Sequence, residues 1–200
     1  MRASYRTAEE IFRKHEGTLR TSQAKKLGIN ERTLTEMVAA DLLVRESRGI
    51  YRLTDLPPLA YPDLVTVALR VPKAVFCLIT ALSFYELTTQ IPHRVHIALP
   101  QGVKKPKIDY PPLDVIWISE EPYRAGIEEH ILDGLSVQMY NREKTIADCF
   151  KFRNKIGLDI ALEALKEYMQ MPERDINKLI GYAKIDRIKV VMQSYLEALV

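Results

Sequence analysis

The sequence is poor in the features that mark membrane, secreted and disulfide-linked proteins. Among its 200 residues, no apolar run reaches the roughly 18 residues that a membrane-spanning helix needs. The first residues, 1–6, are polar and lead directly into a helical pattern, unlike a secretory signal. Only two cysteines occur, Cys77 and Cys149, and each lies in an apolar run, as buried thiols of a reduced protein do. We therefore expect a cytoplasmic protein with no disulfide and no membrane partner.

Motifs of catalysis and metal binding are also absent from the sequence. It contains no glycine-rich phosphate loop, no nucleophilic serine motif and no pair of acids at catalytic spacing. His93 and His96 lie three apart on a predicted strand, where they would face opposite sides and could not share a metal ion. The carboxylates Glu143 and Asp148 are isolated in the sequence, so a nuclease has little support. We predict a protein that is not an enzyme and has no cofactor and no metal site.

Positive charge is concentrated at one end of the chain. Residues 1–54 contain eleven lysines and arginines and seven acidic residues. The remaining residues contain 18 lysines and arginines and 19 acidic residues. The whole chain has a net charge of +3. A basic segment joined to a nearly neutral one indicates a polyanionic partner for the basic segment only.

Proline divides the chain into three parts. Residues 1–54 contain none, and residues 55–62 contain three. Because proline interrupts both helices and sheets, we predict that residues 55–62 are a linker between a domain at 1–54 and a second domain at 63–200.

The second domain combines helical and strand-like periodicity, which predicts an α+β fold. The turn pair Asp133-Gly134 predicts a hairpin between strands at 128–132 and 135–140. Two more strands are predicted at 94–99 and 114–119, and helices at 63–70, 73–87, 142–152, 158–170, 173–183 and 187–199. We therefore expect a small antiparallel sheet followed by a C-terminal helical tail.

The first domain has the pattern of a helix-turn-helix. Helices are predicted at 7–15, from Thr21 and at 31–40, and Gly28 stands where the chain turns between the last two. Ala24 is small because the two helices cross there. The wedge between them would be filled by Leu27, Ile29, Leu34 and Met37. Residues 43–46 and 50–53 flank a glycine-containing turn and predict a β-hairpin, the wing of a winged helix.

The side chains outside this predicted core suit a DNA partner. The second helix would begin with hydroxyl and amide groups suited to a phosphate, the third would present polar side chains to the major groove, and the wing carries arginines. The predicted DNA-binding residues are Arg20, Thr21, Ser22 and Gln23, then Arg32, Thr33, Thr35 and Glu36, then Arg45, Arg48 and Arg52 on the wing.

The order of several segments after the winged helix is similar to a known family. Residues 81–92 are followed by 95–100, the Trp117 strand, the hairpin at 131–140 and the helix start at 141–148. In this order the segments resemble the AbiEi antitoxins of type IV toxin–antitoxin systems. The family usually has a glycine where this sequence has Glu86.

This resemblance implies a double role. The winged helix would bind inverted repeats in double-stranded DNA of its own promoter, with two copies on one site, and repress its own operon. The C-terminal domain would oppose a nucleotidyltransferase-like toxin without forming a stable complex with it. The basic face that the resemblance implies would comprise Arg94, Lys104, Lys105, Lys107, Lys151, Arg153 and Lys155.

A second function remains open. The chain could be a stand-alone winged-helix transcriptional regulator whose C-terminal domain senses a ligand or mediates dimerisation. A toxin-like gene directly downstream would separate the two alternatives.

Overall fold

A computed structural model describes residues 2–198, which form two compact units. The first unit extends to Arg70 and also includes residues 131–136. The second unit contains residues 71–130 and the chain from Val137 onwards. The order of helices and strands confirms the α+β class and the N-terminal winged helix. Among residues 2–198, no helix is both long enough and apolar enough to cross a membrane.

Over its described residues, the first unit has four helices and a three-stranded antiparallel sheet. Its elements are α1 (Ala3–Lys14), β1 (Thr18–Arg20), α2 (Thr21–Lys26), α3 (Glu31–Ala39), β2 (Leu43–Ser47), β3 (Ile50–Leu53) and α4 (Pro62–Arg70). The strand order is β1-β3-β2, so the central strand is β3. The wing hairpin β2–β3 was predicted, whereas β1 was not.

The core of the winged helix forms where three helices and the sheet bury their apolar faces together. Helix α1 contributes Ala8 and Phe12, which lie four residues apart on one helical face and are buried. They pack in one cluster with side chains of α2, α3 and the sheet, among them Ala24, Ile29, Leu34, Met37, Leu43 and Leu53.

The proline-rich segment and α4 belong to the same compact unit as the winged helix. Ile50 of β3 is buried against Val65 and Leu69 of α4. The carboxylate of Asp133 accepts hydrogen bonds from the backbone N–H groups of Ala60 and Tyr61, at 2.8 and 2.9 Å. The first compact unit therefore extends to residue 70, beyond the linker predicted at residues 55–62, because α4 supplies an apolar face that covers β3.

The second unit contains the larger sheet and seven further helices of the described chain. Its strands are β4 (Val75–Phe76), β5 (Val95–Pro100), β6 (Leu113–Ile118), β7 (Ile127–Leu132) and β8 (Leu135–Tyr140), and the β7–β8 turn is the part that clusters with the first unit. The helices are α5 (Leu78–Phe84), α6 (Glu120–Arg124), α7 (Arg142–Lys151), α8 (Arg153–Ile156), α9 (Leu158–Gln170), α10 (Ile176–Ile185) and α11 (Lys189–Glu197).

The larger sheet is mixed, which corrects the prediction of an antiparallel one. Its strand order is β6-β5-β4-β8-β7. Strand β4 is antiparallel to β5, but β5 is parallel to β6 and β4 is parallel to β8. The long connection at residues 101–112 returns the chain to the same end of the sheet, so β6 runs in the direction of β5.

The helix predicted at residues 73–87 is wrong in its first half. Val75 and Phe76 form the short strand β4, which lies between β5 and β8. Cys77 is extended, with φ −149° and ψ 178°, and the helix α5 begins only at Leu78. A short apolar run suits both a buried helix and a central strand, and here its sheet neighbours determine the outcome.

Helix α7 is the centre of the second core. Every residue from Glu143 to Phe150 is buried. Its apolar members Ile146 and Phe150 pack against α5, α9 and α10 side chains in the largest hydrophobic cluster. The predicted helical tail is present as α9, α10 and α11.

Candidate nucleic-acid interface

The helix-turn-helix has the close crossing that its sequence indicates. Ala24 of α2 is fully buried, and its carbonyl oxygen accepts a hydrogen bond from the N–H of Ile29 at 2.9 Å. Gly28 makes the turn with φ 88°, a conformation that favours glycine. The Asn30 side chain caps α3 by accepting from the N–H of Arg32 at 3.0 Å. Leu27 is a correction, because the residue is 39% exposed and does not fill the predicted wedge.

The start of α2 presents two of its four predicted residues to solvent. Ser22 and Gln23 are exposed. Arg20 is half-buried, and its Nη1 donates to the carbonyl oxygen of Leu69 at 2.7 Å. The Thr21 hydroxyl, also half-buried, donates to the carbonyl oxygen of Gly49 at 3.3 Å. The guanidinium of Arg20 thus contacts backbone in the same unit, whereas Ser22 and Gln23 can reach a partner.

The third helix, α3, has the predicted polar face. The Arg32 side chain is 85% exposed, and Thr35 is exposed with its hydroxyl donating to the carbonyl oxygen of Glu31 at 3.2 Å. Thr33 and Glu36 are half-buried. This face carries an arginine and hydroxyl groups, the kinds of side chain that contact bases and phosphates in protein–DNA complexes.

The wing presents two arginines and buries the third. Arg45 and Arg48 are exposed. Arg52 lies on the central strand β3 and is only 8% exposed. Its Nε forms an ion pair with Glu46, and its Nη1 donates to the carbonyl oxygens of Leu53 and Leu56 at 2.9 and 2.6 Å. Arg52 is therefore held by contacts within the first unit and does not lie on the exposed surface of the wing, a correction of the sequence prediction that follows from its bonds to Glu46, Leu53 and Leu56.

Two residues that the sequence did not single out lie beside α3. Arg2 donates through Nη1 to Oε2 of Glu36 at 2.8 Å. The hydroxyl of Tyr5 donates to the same oxygen at 3.2 Å. Both precede α3 by some thirty residues, so no local pattern could have paired them with it.

The seven basic residues predicted for the C-terminal face fall into two groups. Lys104, Lys105 and Lys107 are exposed on the segment between β5 and β6. The other four donate hydrogen bonds within the second unit. Arg94 donates to the carbonyl oxygen of Leu113, and Arg153 donates to that of Phe150. Lys151 donates to the carboxylate of Asp186, and Lys155 donates to that of Asp114.

The cysteines and the two histidines considered as metal ligands do not form a reactive or metal-binding site. Burial raises the pKa of the Cys77 and Cys149 thiols well above the ordinary value, so both remain neutral. Burial lowers the pKa of His96, and His93 is exposed. Within residues 2–198, no three His, Cys, Asp or Glu side chains gather as a metal site would require.

This geometry defines a winged helix-turn-helix protein with a second α+β unit. Residues 6–54 match the family described as "Transcriptional regulator, AbiEi antitoxin". The resemblance stated from the sequence is confirmed over these residues, and the match supports a role for the chain as a regulator of the antitoxin type.

The solved structures similar to this chain include the crystal structure of the RV2827C protein from Mycobacterium tuberculosis. The two share 14% sequence identity with a TM-score of 0.54, over 97% of this chain and 80% of the other. At this identity the similarity shows a common fold. No curated protein matches the sequence.

Proposed function

We propose that this protein is a type IV antitoxin that also represses its own operon. The observation that carries the proposal is the exposed face of α3 and the wing, with Arg32, Thr35, Arg45 and Arg48, within a domain that matches the AbiEi regulators. The winged helix binds inverted repeats in its promoter, and two copies occupy one operator. The second unit opposes a nucleotidyltransferase-like toxin without a stable complex, and the protein performs no catalysis. A DNA partner of this kind implies a cytoplasmic protein.

The concentration of positive charge supports DNA binding by the first unit. The four excess positive charges of residues 1–54 attract phosphates, and counterion release makes such binding fall steeply with salt. The acidic residues Glu31 and Glu36 on α3 reduce affinity for DNA in general, so affinity must come from specific contacts. An operator reader needs this combination more than a protein that coats DNA does.

The first test is a gel shift of the full-length protein on its own upstream DNA and on unrelated DNA, over a salt series. We expect tight retardation of the upstream DNA alone. Arg45→Ala should weaken it and lower the salt slope by about one, as for a lost phosphate contact. The control is the triple change of Lys104, Lys105 and Lys107 to alanine, which should leave both quantities unchanged. Equal weak binding to both DNAs would refute the operator-binding role.

The antitoxin role needs a second experiment. The neighbouring toxin-like gene is expressed with and without this chain, and growth is measured. We expect the triple lysine variant to lose protection of growth while it retains operator binding. If growth is not restored by the wild-type chain, or if no such gene adjoins it, the stand-alone regulator becomes the better description.

A further inference from the structure

Two guanidinium groups meet on one carboxylate of the recognition helix. Nε of Arg32 donates to Oε1 of Glu36 at 2.8 Å, and Nη1 of Arg2 donates to Oε2 at 2.8 Å. Tyr5 adds a third donor to Oε2, and the Arg2 guanidinium lies 5.6 Å from the centre of the Tyr5 ring. Each oxygen of Glu36 therefore holds one arginine.

Glu36 is charged under physiological conditions. The hydrogen bond from Arg32 is the largest cause that lowers the pKa of Glu36, and the hydrogen bond from Tyr5 and the charge of Arg2 lower it further. Partial burial acts in the opposite direction and raises the pKa, but by less. The Glu36 side chain is 29% exposed and that of Arg32 is 85% exposed. An ion pair this open adds little to stability. What the structure shows is its geometry, in which the Nε side of the Arg32 guanidinium faces Glu36.

The bond to Glu36 occupies one particular part of Arg32. It uses Nε and leaves the two terminal amino groups for an acceptor in another molecule. Guanine presents two acceptors side by side in the major groove, O6 and N7, and a bidentate arginine is their commonest partner. Arg32 is the second residue of α3, and the first residues of a recognition helix are those that reach base edges.

We propose that Glu36 is a positioning residue that holds Arg32 to read a guanine, with Arg2 held beside it as a second cation. The inference rests on the proposed DNA-binding function and names the base that this site recognises. It assigns Glu36 a role opposite to the one expected from its charge. As a mere negative charge near DNA, Glu36 would only weaken binding.

Glu31 offers a matched control for this distinction. It lies on the same helix, carries the same charge and forms an ion pair with Lys25 at 2.7 Å. Glu31→Gln and Glu36→Gln therefore remove the same charge from α3, but only Glu36→Gln removes the carboxylate that holds Arg32.

The experiment uses the full-length protein and a library of randomised DNA duplexes, from which bound sequences are selected and read. Wild-type protein should select a motif with an invariant guanine, preferred over other bases by roughly 5- to 150-fold, as for one bidentate contact. Glu36→Gln and Arg32→Lys should abolish the preference at that position and leave the other positions unchanged. Glu31→Gln should raise affinity for all duplexes by a similar factor and keep the motif.

Three results would overturn the inference. If Glu36→Gln behaves as Glu31→Gln does, Glu36 acts by charge alone. If Arg32→Lys keeps the motif, and Arg32→Ala weakens binding to every duplex equally with a smaller salt slope, Arg32 contacts a phosphate. If the wild-type protein selects no motif at all, operator recognition itself fails, and the guanine assignment fails with it.

Discussion

Glu86 stands at the end of α5 in a left-handed backbone conformation, with φ 58°. The N–H of Leu87 donates to the carbonyl oxygen of Leu82, and that of Glu86 to the carbonyl oxygen of Ser83. These two bonds form a Schellman motif, in which the position of Glu86 favours glycine. The structure thus gives a physical reason for the glycine that the AbiEi resemblance leads one to expect there.

Replacing this residue by glycine should stabilise the protein. A residue with a Cβ atom is strained in the left-handed region by about 1–2 kcal/mol, and glycine relieves this strain. Part of the relief is offset because glycine makes the unfolded chain more flexible. We expect Glu86→Gly to raise the free energy of unfolding by about 0.5–1 kcal/mol, measured by urea denaturation. The control Glu86→Ala removes the carboxylate but keeps the Cβ atom, and it should have little effect. Equal stabilisation by both variants would attribute the effect to charge.

Single residues also show the limit of sequence reasoning. The sequence indicates that Arg32 and Arg45 are polar and lie on exposed faces, because helical and strand periodicity is local. It could not separate Arg52 from Arg48, since both are arginines beside the same wing turn. Their difference comes from tertiary contacts, because the Arg52 guanidinium meets Glu46 and the carbonyl oxygens of Leu53 and Leu56, whereas Arg48 is exposed.

At the scale of elements, the crossing of α2 and α3 was predictable in detail. Small Ala24, the turn at Gly28 and the Asn30 cap are local requirements that leave a clear mark in the sequence. The crossing leaves no room at Ala24, whose exposure is 0%.

Ala24→Leu should therefore destabilise the winged helix by overpacking. We expect a loss of about 1–3 kcal/mol in the free energy of unfolding, measured by chemical denaturation of the full chain. Ala39→Leu adds the same side chain at an exposed position of α3 and should change stability by much less. Wild-type stability of the Ala24 variant would mean that the two helices do not cross at this residue.

For the molecule as a whole, an important feature is a group of buried charges in the second unit. Nζ of Lys144, which is fully buried, lies 2.5 Å from Asp148 and 3.1 Å from Asp186, and Lys151 reaches Asp186 from a half-buried position. Burial and the charge of Asp186 raise the pKa of Asp148 to about 7, although Lys144 acts in the opposite direction. Tyr140, whose ring lies under Lys144, has its pKa raised by the same burial.

This shift makes stability depend on pH. Below the ordinary pKa of 3.8, Asp148 is protonated in both the folded and the unfolded chain. As the pH rises from there to about 7, the unfolded chain loses this proton while the folded protein keeps it, so this contribution to stability is lost across that window. Each pKa unit of difference corresponds to about 1.4 kcal/mol.

Asp148→Asn should remove this dependence, because an amide does not titrate. We expect the melting temperature of the variant, relative to the wild type, to increase between pH 4 and pH 7 and then level off. Glu163→Gln should differ from the wild type by a constant amount above pH 4.5, because hydrogen bonds from Thr89 and Thr88 lower the pKa of Glu163 below that ordinary value. Its contribution to stability is lost only as the pH falls below 4.5, so the difference from the wild type should shrink there. A constant difference between Asp148→Asn and wild type across the window would show that Asp148 is ionised in the folded protein throughout.

The sequence alone determined the elements whose causes are local. Apolar residues at helical spacing, turn glycines and capping side chains specified the helix-turn-helix, the wing, the Asp133-Gly134 hairpin and most helices of the second unit. Tertiary structure alone decided which strands outside the two hairpins became neighbours. It made β4 a strand by placing it between β5 and β8, paired β1 with β3, and brought Arg2 to Glu36. Those outcomes depend on contacts between residues far apart in the chain, and no pattern within a single segment records such contacts.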